Sequence, residues 1–323
     1  MASDSSGAEP PPVVLDQAVQ GLVESMSAPP SLRQLGAQDG RAALRESQYR
    51  NGDGGDTTAQ FLTAPVGPSG LVGLWVVRPR DADGALPAVL YLHGGRWMFG
   101  DLETHYHLIS ELARNSRAAL VVPEYSRAPE TRYPVALEEC YALLTWMHQN
   151  AEDLGLDARR LAIGGDCGGA TLAIVVGMLA KARGGPRLRA QLLYYPPTDA
   201  RCNSLSHKTF SDGYLLSSQD QAWYWEQYCD GDYDSPLVSP LNASPDDLAG
   251  LPPTMLITAE ADVVRDEGSA FAAKLRAAGV PVTATCYLGT VHDFAVLSLL
   301  RDLPSSRAAR RQGQQFLREA LHA

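Results

Sequence analysis

Leu161-Ala-Ile-Gly-Gly-Asp-Cys-Gly-Gly-Ala-Thr-Leu-Ala173 begins as a short apolar run, turns through glycines and continues with apolar residues at helical spacing. We interpret it as a strand, a tight turn and a helix. Within it, Gly165-Asp-Cys-Gly-Gly169 has the G-x-S-x-G form of a nucleophile elbow, with cysteine in the serine position. The glycines predict a close approach of strand and helix, because they lack a Cβ. The pattern places Cys167 at a helix N-terminus, where unpaired N–H groups favour a thiolate. A small buried core cysteine is the alternative interpretation.

Composition limits the class of protein. The chain has 323 residues, 45% hydrophobic and 20% charged, which is typical of a soluble protein with one large α/β domain or two small ones. A net charge of −10 gives nucleic-acid binding no electrostatic support. The five cysteines are scattered without metal-ligand spacing and favour a reducing compartment. The N-terminus lacks the pattern of a signal peptide, and no apolar run is long enough to span a bilayer. We therefore expect a cytoplasmic protein without cofactor, metal or membrane span.

Strand and helix patterns alternate from residue 60 onward. This alternation predicts an α/β fold with a mostly parallel sheet and helices on both faces. The predicted strands are 60–64, 71–78, 85–93, 118–123, 161–163, 188–195, 254–259 and 282–287. The predicted helices in this region are 105–115, 135–149, 167–183, 267–278 and 307–321.

Two segments depart from the alternation. Residues 1–55 contain apolar spacing typical of two helices, near 13–26 and 31–49. Residues 201–250 are rich in aromatic side chains and contain a predicted helix that begins near Ser217. We interpret both segments as parts of a helical cap. The core domain is then predicted to comprise residues 56–200 and 251–323.

Four motifs carry a resemblance to a known family. The chain resembles the hormone-sensitive-lipase-like (family IV) esterase group of the α/β-hydrolases, with cysteine in place of the nucleophilic serine. The segments that resemble its HGGG, Y-R-L-A-P-E, G-D-S-A-G and acid–histidine motifs are His93-Gly-Gly-Arg-Trp97, Tyr125-Ser-Arg-Ala-Pro-Glu130, Gly165–Gly169, and Asp262-Val-Val-Arg-Asp-Glu267 with His292-Asp-Phe294. The resemblance implies an α/β-hydrolase fold: a mostly parallel central sheet, helices on both faces and a helical cap.

The resemblance also implies a catalytic triad. Cys167 would be the nucleophile, His292 the base, and Asp262 the acid that orients the imidazole. The order nucleophile, acid, histidine is the one found in α/β-hydrolases. Asp266 and Glu260 are rival acids, and we expect Asp266 to form a salt bridge instead, with Arg265 as its partner.

Backbone amides would form the oxyanion hole. The resemblance assigns this role to Gly94, Gly95, Arg96 and Gly168, whose N–H groups would bind the negative charge that develops in the transition state. His93 is expected to order the loop rather than to react. Tyr125 and Glu130 are expected to be structural.

Two departures from the family pattern fall in the predicted site. With Cys167 as nucleophile the acyl-enzyme is a thioester, which reacts well with amines and thiols, so transfer to an acceptor other than water becomes an option. Activated esters, lactones and thioesters are then the better substrates. Arg96 replaces the third glycine of HGGG. Its guanidinium would hold a substrate carboxylate or phosphate, or else turn to solvent or pair with Asp101 or Glu103.

The leading functional hypothesis is acyl transfer or hydrolysis through a Cys-His-Asp triad in a specialised, biosynthetic enzyme. The alternatives are a lyase of the dehydratase type, a binding member of the same fold, or a carboxylesterase with an engineered Ser-to-Cys change. A redox-sensing cysteine is disfavoured because no resolving cysteine is near in sequence. We expect a small-molecule acyl substrate and leave a homodimer open. Four aromatic side chains are expected to line an apolar acyl pocket under the cap, namely Trp97, Phe99, Tyr214 and Trp223.

Overall fold

A single sheet organises the molecule. The structure is a computed structural model that describes residues 13–26, 30–48 and 55–323. In these ranges eight strands pair in the order β1-β2-β4-β3-β5-β6-β7-β8. Strand β2 is antiparallel to both of its neighbours, and all other pairs are parallel. The predicted α/β fold is therefore confirmed. The strands are β1 Thr57–Ala64, β2 Val72–Pro79, β3 Leu86–Leu92, β4 Ala119–Glu124, β5 Leu156–Asp166, β6 Leu188–Tyr194, β7 Thr254–Ala261 and β8 Val282–Val291.

Among the residues that the structure describes, two helices precede the first strand in the chain, and the others lie between or after the later strands. Over the described ranges they are α1 Gln17–Met26, α2 Leu32–Gln48, α3 Leu102–Ser116, α4 Val135–Gln149, α5 Cys167–Ala182, α6 Leu205–Thr209, α7 Ser218–Tyr228, α8 Pro245–Leu248, α9 Arg265–Ala277 and α10 Pro304–His322. None of these helices combines the length and apolar character that a membrane crossing requires.

Helix α5 lies at the centre of the fold. Every side chain from Cys167 to Ala180 is buried, which explains why its apolar residues show no single face. It packs against β3, β5 and β6 together with α4, whereas α10 packs with α3 on the opposite face of the sheet. Successive residues of β6 point to opposite faces. Gln191 approaches Gly177 of α5, and Leu192 approaches Gly313 of α10.

Local hydrogen bonds move some boundaries away from the predicted ones. Helix α3 begins at Leu102, three residues before the predicted start, because Asp101 and Thr104 form a reciprocal capping box. Helix α1 begins at Gln17, since the Asp16 carboxylate accepts a hydrogen bond from the Ala18 amide. Tyr49, the predicted end of the second helix, lies outside the described residues.

Helix α2 contacts the loops that follow β3 and β4. Arg41 of α2 donates hydrogen bonds to the carbonyl oxygens of Met98 and Ala128 and forms a two-bonded ion pair with Glu130. A Cβ on Gly40 would lie 2.7 Å from the Phe99 ring, so α2 also packs closely there. Helices α6 to α8 lie between β6 and β7 in the chain. The division into core and cap stays a prediction.

The turn from β5 into α5 is tightly constrained. Cys167 has φ 48°, in the left-handed region that few non-glycine residues occupy. A Cβ on Gly169 would overlap the carbonyl oxygens of Leu92 and His93, and one on Gly165 would lie 2.5 Å from the Gly169 oxygen. The glycines of the motif are therefore required by the close approach of β3, β5 and the first turn of α5, as the sequence predicted.

We expect Gly169→Ala to lower the free energy of unfolding by about 1–3 kcal/mol or more, because the added methyl overlaps backbone atoms that cannot move independently. Gly177→Ala in the same helix is the matched control. Its Cβ would lie 3.8 Å from its nearest neighbour, and alanine favours the helix over glycine by up to about 1 kcal/mol. Urea unfolding of both variants measures the difference. Equal stability of the two variants would contradict the close approach.

Candidate active site

A histidine and an aspartate meet beyond the ends of two neighbouring strands. Asp262 follows β7 and His292 follows β8, and parallel strands bring such positions to one edge of the sheet. The Nδ1 atom of His292 lies 2.7 Å from Oδ2 of Asp262, and both side chains are fully buried. The other oxygen, Oδ1, accepts a hydrogen bond from the Val264 amide. Asp262 is thus held rigidly against the ring.

The charged form of His292 is favoured in this setting. Burial alone lowers the pKa of His292, but the carboxylates of Asp262 and Asp293 more than offset that effect, so its pKa lies well above the ordinary value. The hydrogen bond from Nδ1 to Asp262 acts in the same direction. Protonated imidazole at this position is a ready proton donor to a leaving group.

Cys167 lies next to the histidine. Its sulfur, a ring nitrogen of His292 and a carboxylate oxygen of Asp293 all lie within 4.8 Å of one another. Since Asp262 occupies Nδ1, the nitrogen free for the sulfur is Nε2, which has no hydrogen-bond partner among the described residues. The three predicted triad residues are therefore close in space, in the order that acyl chemistry requires.

The rival acids have other partners. Glu260 accepts a hydrogen bond from the Gly289 amide at 2.7 Å. Asp266 pairs with Nε of Arg265 at 2.8 Å, which confirms the expected salt bridge. Neither carboxylate is bonded to His292.

Backbone amides converge near the sulfur. The loop after β3 turns through Gly95 and Arg96, which have φ 108° and 57°. The Gly95 carbonyl oxygen accepts hydrogen bonds from the amides of Met98 and Phe99. Within the described residues, the amides of Gly95 and Arg96 donate to no acceptor. The Gly168 amide belongs to the first turn of α5, where no acceptor exists within the helix. A Cβ on Gly168 would lie 3.1 Å from the Trp97 amide nitrogen, so the loop and the elbow are in contact.

Gly94 has a different role from the one expected. Its amide donates to Oδ1 of Asp166 at 3.1 Å and so is not available to a substrate oxyanion. A Cβ there would overlap the Asp166 carboxylate. The physical reason is that Asp166 lies directly beneath the loop, and this corrects the assignment of Gly94 to the oxyanion hole.

Asp166 ties the elbow to the loop. Its carboxylate also accepts a hydrogen bond from the Tyr91 hydroxyl at 2.9 Å and lies 3.2 Å from Nε2 of His105 in α3. Burial alone would raise the pKa of Asp166, but the nearby His105 lowers it overall. Burial likewise opposes charge on His105, and Asp166 reverses that effect, so the pKa of His105 is raised. Each of the two buried groups therefore favours the charged form of the other.

His93 supports the same loop, as expected. Its Nδ1 lies 2.8 Å from the Gly94 oxygen, and its ring stacks on Tyr125, whose hydroxyl donates to the His93 carbonyl oxygen at 2.7 Å. Burial, followed by the proximity of His105, lowers the pKa of His93 to about 3. A neutral imidazole here has no role in proton transfer and fixes the backbone instead.

Arg96 turns inward. Its Nη2 donates to Oδ2 of Asp293 at 3.1 Å, and both side chains are nearly inaccessible to solvent. The expected alternative partners, Asp101 and Glu103, interact with Arg45. The interpretation that Arg96 faces the site is the one the geometry supports.

The aromatic residues that were predicted to line the acyl pocket do not form a single cluster. Trp97 packs on Gly168, stacks on Tyr228 and contacts Trp225 with the two rings tilted. Tyr224, at the centre of a second group, contacts Phe99 at 5.8 Å, Trp223 at 5.2 Å and the Arg96 guanidinium at 5.5 Å, measured to ring centroids. Tyr214 lies apart, against Phe210. Trp97 therefore lies against the residue that follows Cys167, with Trp225 and Tyr228 of α7 packed on it.

Comparison with known proteins agrees with this architecture. The sequence model of the alpha/beta hydrolase fold matches residues 89–296. The chain belongs to the α/β-hydrolase family.

Known relatives of this α/β-hydrolase include solved structures. The chain is 40% identical over 237 residues to the carboxylic ester hydrolase LipN of Mycobacterium tuberculosis, covering 71% of this chain and 62% of that protein. It is 37% identical over 222 residues to an ethyl acetate hydrolase of Pseudomonas putida, covering 67% and 69%. The crystal structure of a thermostable esterase from Pseudomonas putida ECU1011 superimposes with a TM-score of 0.92 at 38% identity, covering 97% of this chain and 99% of that one.

Three side chains at the site of this α/β-hydrolase were not singled out from the sequence. Asp293 directly follows the predicted base, and an acidic residue beside a histidine was the available signal. His105 gave no local signal, because its partner Asp166 is 61 residues away. Tyr224 lay unremarked within an aromatic segment, and only its contact with Arg96 distinguishes it.

We expect Asp262→Asn to slow acylation of Cys167 by roughly 10²–10⁴-fold, because the amide no longer holds the imidazole in its charged, oriented form. Asp266→Asn is the matched control, since its partner is Arg265 rather than His292. Single-turnover kinetics with an aryl ester measures both. A larger loss in the Asp266 variant would reassign the acid.

We expect His105→Gln to remove a pH-dependent part of the stability. A histidine whose pKa is raised on folding stabilises the protein fully below its unfolded pKa of about 6.5, and that contribution disappears as the pH rises through the raised value. It amounts to about 1.4 kcal/mol for each unit of pKa rise. The difference in unfolding free energy between wild type and variant should therefore be larger at pH 6 than at pH 9, as measured by urea unfolding. A difference that grows with pH would refute the raised pKa of His105.

Proposed function

We propose that this protein is a carboxylic ester hydrolase of the α/β-hydrolase family that acts through a covalent thioester on Cys167, with His292 as acid–base and Asp262 as the orienting acid. The observation that carries the proposal is the meeting of three side chains: the Cys167 sulfur lies within 4.8 Å of a His292 ring nitrogen, and Nδ1 of His292 is bonded to Asp262. The similarity to esterases of known structure supports the ester-directed part.

In the first step, the sulfur attacks the substrate carbonyl carbon and a C–S bond forms. The carbonyl electron pair moves to oxygen, where the amides of Gly95, Arg96 and Gly168 are available to accept the charge. The bond to the leaving oxygen or sulfur then breaks, and Nε2 of His292 delivers to it the proton that the thiol lost. The product of this step is the Cys167 thioester and a neutral alcohol or thiol.

In the second step, water or another acceptor attacks the thioester. It gives its proton to Nε2 of His292, the C–S bond breaks, and the thiol is restored. Amine and thiol acceptors compete well with water at a thioester, so we propose acyl transfer, as in a specialised biosynthetic enzyme, alongside hydrolysis. Aryl esters, lactones and thioesters are the proposed donors.

The surrounding segments are proposed to form the substrate cap. Residues 1–55 and 201–250 would cover a core of residues 56–200 and 251–323. The ion pair at 3.5 Å between Arg33 of α2 and Asp220 of α7, which joins the two segments, supports this division. Arg96, Trp97, Phe99, Tyr214 and Trp223 are proposed to contact substrate, and the contact of Trp97 with Gly168 is the most direct support.

We expect intact-protein mass spectrometry to detect one acyl adduct after reaction with an aryl ester or an acyl thioester. Cys167→Ala should show none, whereas Cys202→Ala, a matched cysteine change, should retain it. Decay of the adduct in water and in added amine measures hydrolysis against transfer. Absence of both adduct and turnover with every donor would refute acyl chemistry and favour a lyase that uses His292 as base.

A further inference from the structure

Two non-glycine residues with left-handed backbone flank the proposed nucleophile. Arg96 has φ 57° and Asp293 has φ 62°, a conformation uncommon outside glycine. They lie 197 residues apart in the chain, yet their side chains meet at 3.1 Å. Each is about a tenth exposed or less, at 8% and 11% of side-chain area. A buried ion pair thus joins the loop after β3 to the loop after β8.

Among the described residues, not all N–H groups of the Arg96 guanidinium have a hydrogen-bond acceptor. Nη2 is bonded to Asp293, whereas Nε is buried with no hydrogen-bond partner in the described part of the chain. The Tyr224 ring, 5.5 Å away, offers its face rather than a hydrogen-bond acceptor. An arginine carries five N–H donors in a fork that matches a carboxylate through two parallel bonds. The pair with Asp293 therefore leaves part of this fork open, which is costly for a buried group.

The position of the Asp293 carboxylate indicates which part of a substrate would take its place beside Arg96. Oδ2 of Asp293 contacts Arg96, and Oδ1 lies 3.5 Å from Nε2 of His292, which is too long for a good hydrogen bond. Nε2 is the atom that hands its proton to the leaving group. A carboxylate held here consequently lies on the leaving-group side of the scissile bond.

We propose that Arg96 is a carboxylate-recognition site, filled by Asp293 in the free protein and by a carboxylate on the leaving-group half of the acyl donor in the substrate complex. The preferred donors are then acyl esters of hydroxy acids, or thioesters of mercapto acids. This inference rests on the proposed acyl chemistry at Cys167. The substrate carboxylate replaces a single hydrogen bond by a two-bonded contact, and it brings the scissile carbonyl to the amide of Arg96 itself.

The test uses two pairs of aryl esters that differ only in charge. In 3-acetoxybenzoate and 3-acetoxybenzamide, the charge is on the leaving group. In phenyl hydrogen adipate and its terminal amide, the charge is on the acyl group. At pH 7.5 we expect kcat/KM for the benzoate to exceed that for the benzamide by at least about tenfold, which is the order that a charge-assisted pair contributes. The adipate pair should differ by less than the benzoate pair.

Variants test whether the preference for the benzoate depends on the pair of Arg96 and Asp293. Arg96→Gln should bring the benzoate-to-benzamide ratio close to one, whereas Asp293→Asn, which removes the competing carboxylate, should increase it. Because Arg96→Gln leaves a buried unpaired carboxylate, the double change Arg96→Gln with Asp293→Asn provides a neutral pair of similar shape, and its ratio should also be close to one. Arg183→Gln, which breaks the surface pair with Glu138, is the matched control and should keep the wild-type ratio.

Several outcomes would overturn the proposal. One is a wild-type ratio near one for the benzoate pair, and another is a ratio that survives in the double variant. A preference confined to the adipate pair would refute the placement on the leaving-group side. These outcomes differ from failure of the proposed function, in which no donor, charged or neutral, gives an adduct on Cys167.

Discussion

The carbonyl oxygens at the end of β3 lie so close to the first turn of α5 that only a glycine fits at position 169. This approach brings the loop after β3 and the elbow into contact, and it fixes the backbone of Cys167 at φ 48°. Asp166, between them, holds the loop from below through the Gly94 amide and His105. The geometry of the candidate site is therefore set by backbone packing before any side chain of the triad is considered.

The charges of the site alternate along a short path. The path runs from the carboxylate of Asp262 through the imidazole of His292 and the carboxylate of Asp293 to the guanidinium of Arg96. Each of these side chains is almost completely buried. Such an arrangement keeps each charge close to an opposite one, which is the condition under which buried ions are tolerated. It also means that removal of Asp262 or Asp293 takes away a charge that raises the pKa of His292.

Local pattern was sufficient to predict the order of strands and helices, because apolar runs and glycine turns reflect the packing of each element by itself. For Cys167 the glycine-flanked turn was the local signal, whereas Asp262 and His292 were predicted from the resemblance to a known family. The structure brings the three side chains together, and their catalytic roles are proposed. Local pattern could not place the N-terminus of α3, where a capping box outweighed apolar spacing. Nor could it find the contact between Arg96 and Asp293, or that between His105 and Asp166. These pairs depend on how distant loops meet, and the residues adjacent to them in sequence carry no trace of the partner.

The hydrogen bonds from Arg41 to the loop after β3 and to the loop after β4 have a consequence for chimeric proteins. The stretch that matches the α/β-hydrolase fold, residues 89–296, does not contain the helix that supplies this guanidinium. The loop after β3 is therefore supported by a helix that lies outside the matched stretch. A chimera whose leading helix has no arginine at the position of Arg41 would keep Cys167, Asp262 and His292 but lose these hydrogen bonds to the neighbouring loops.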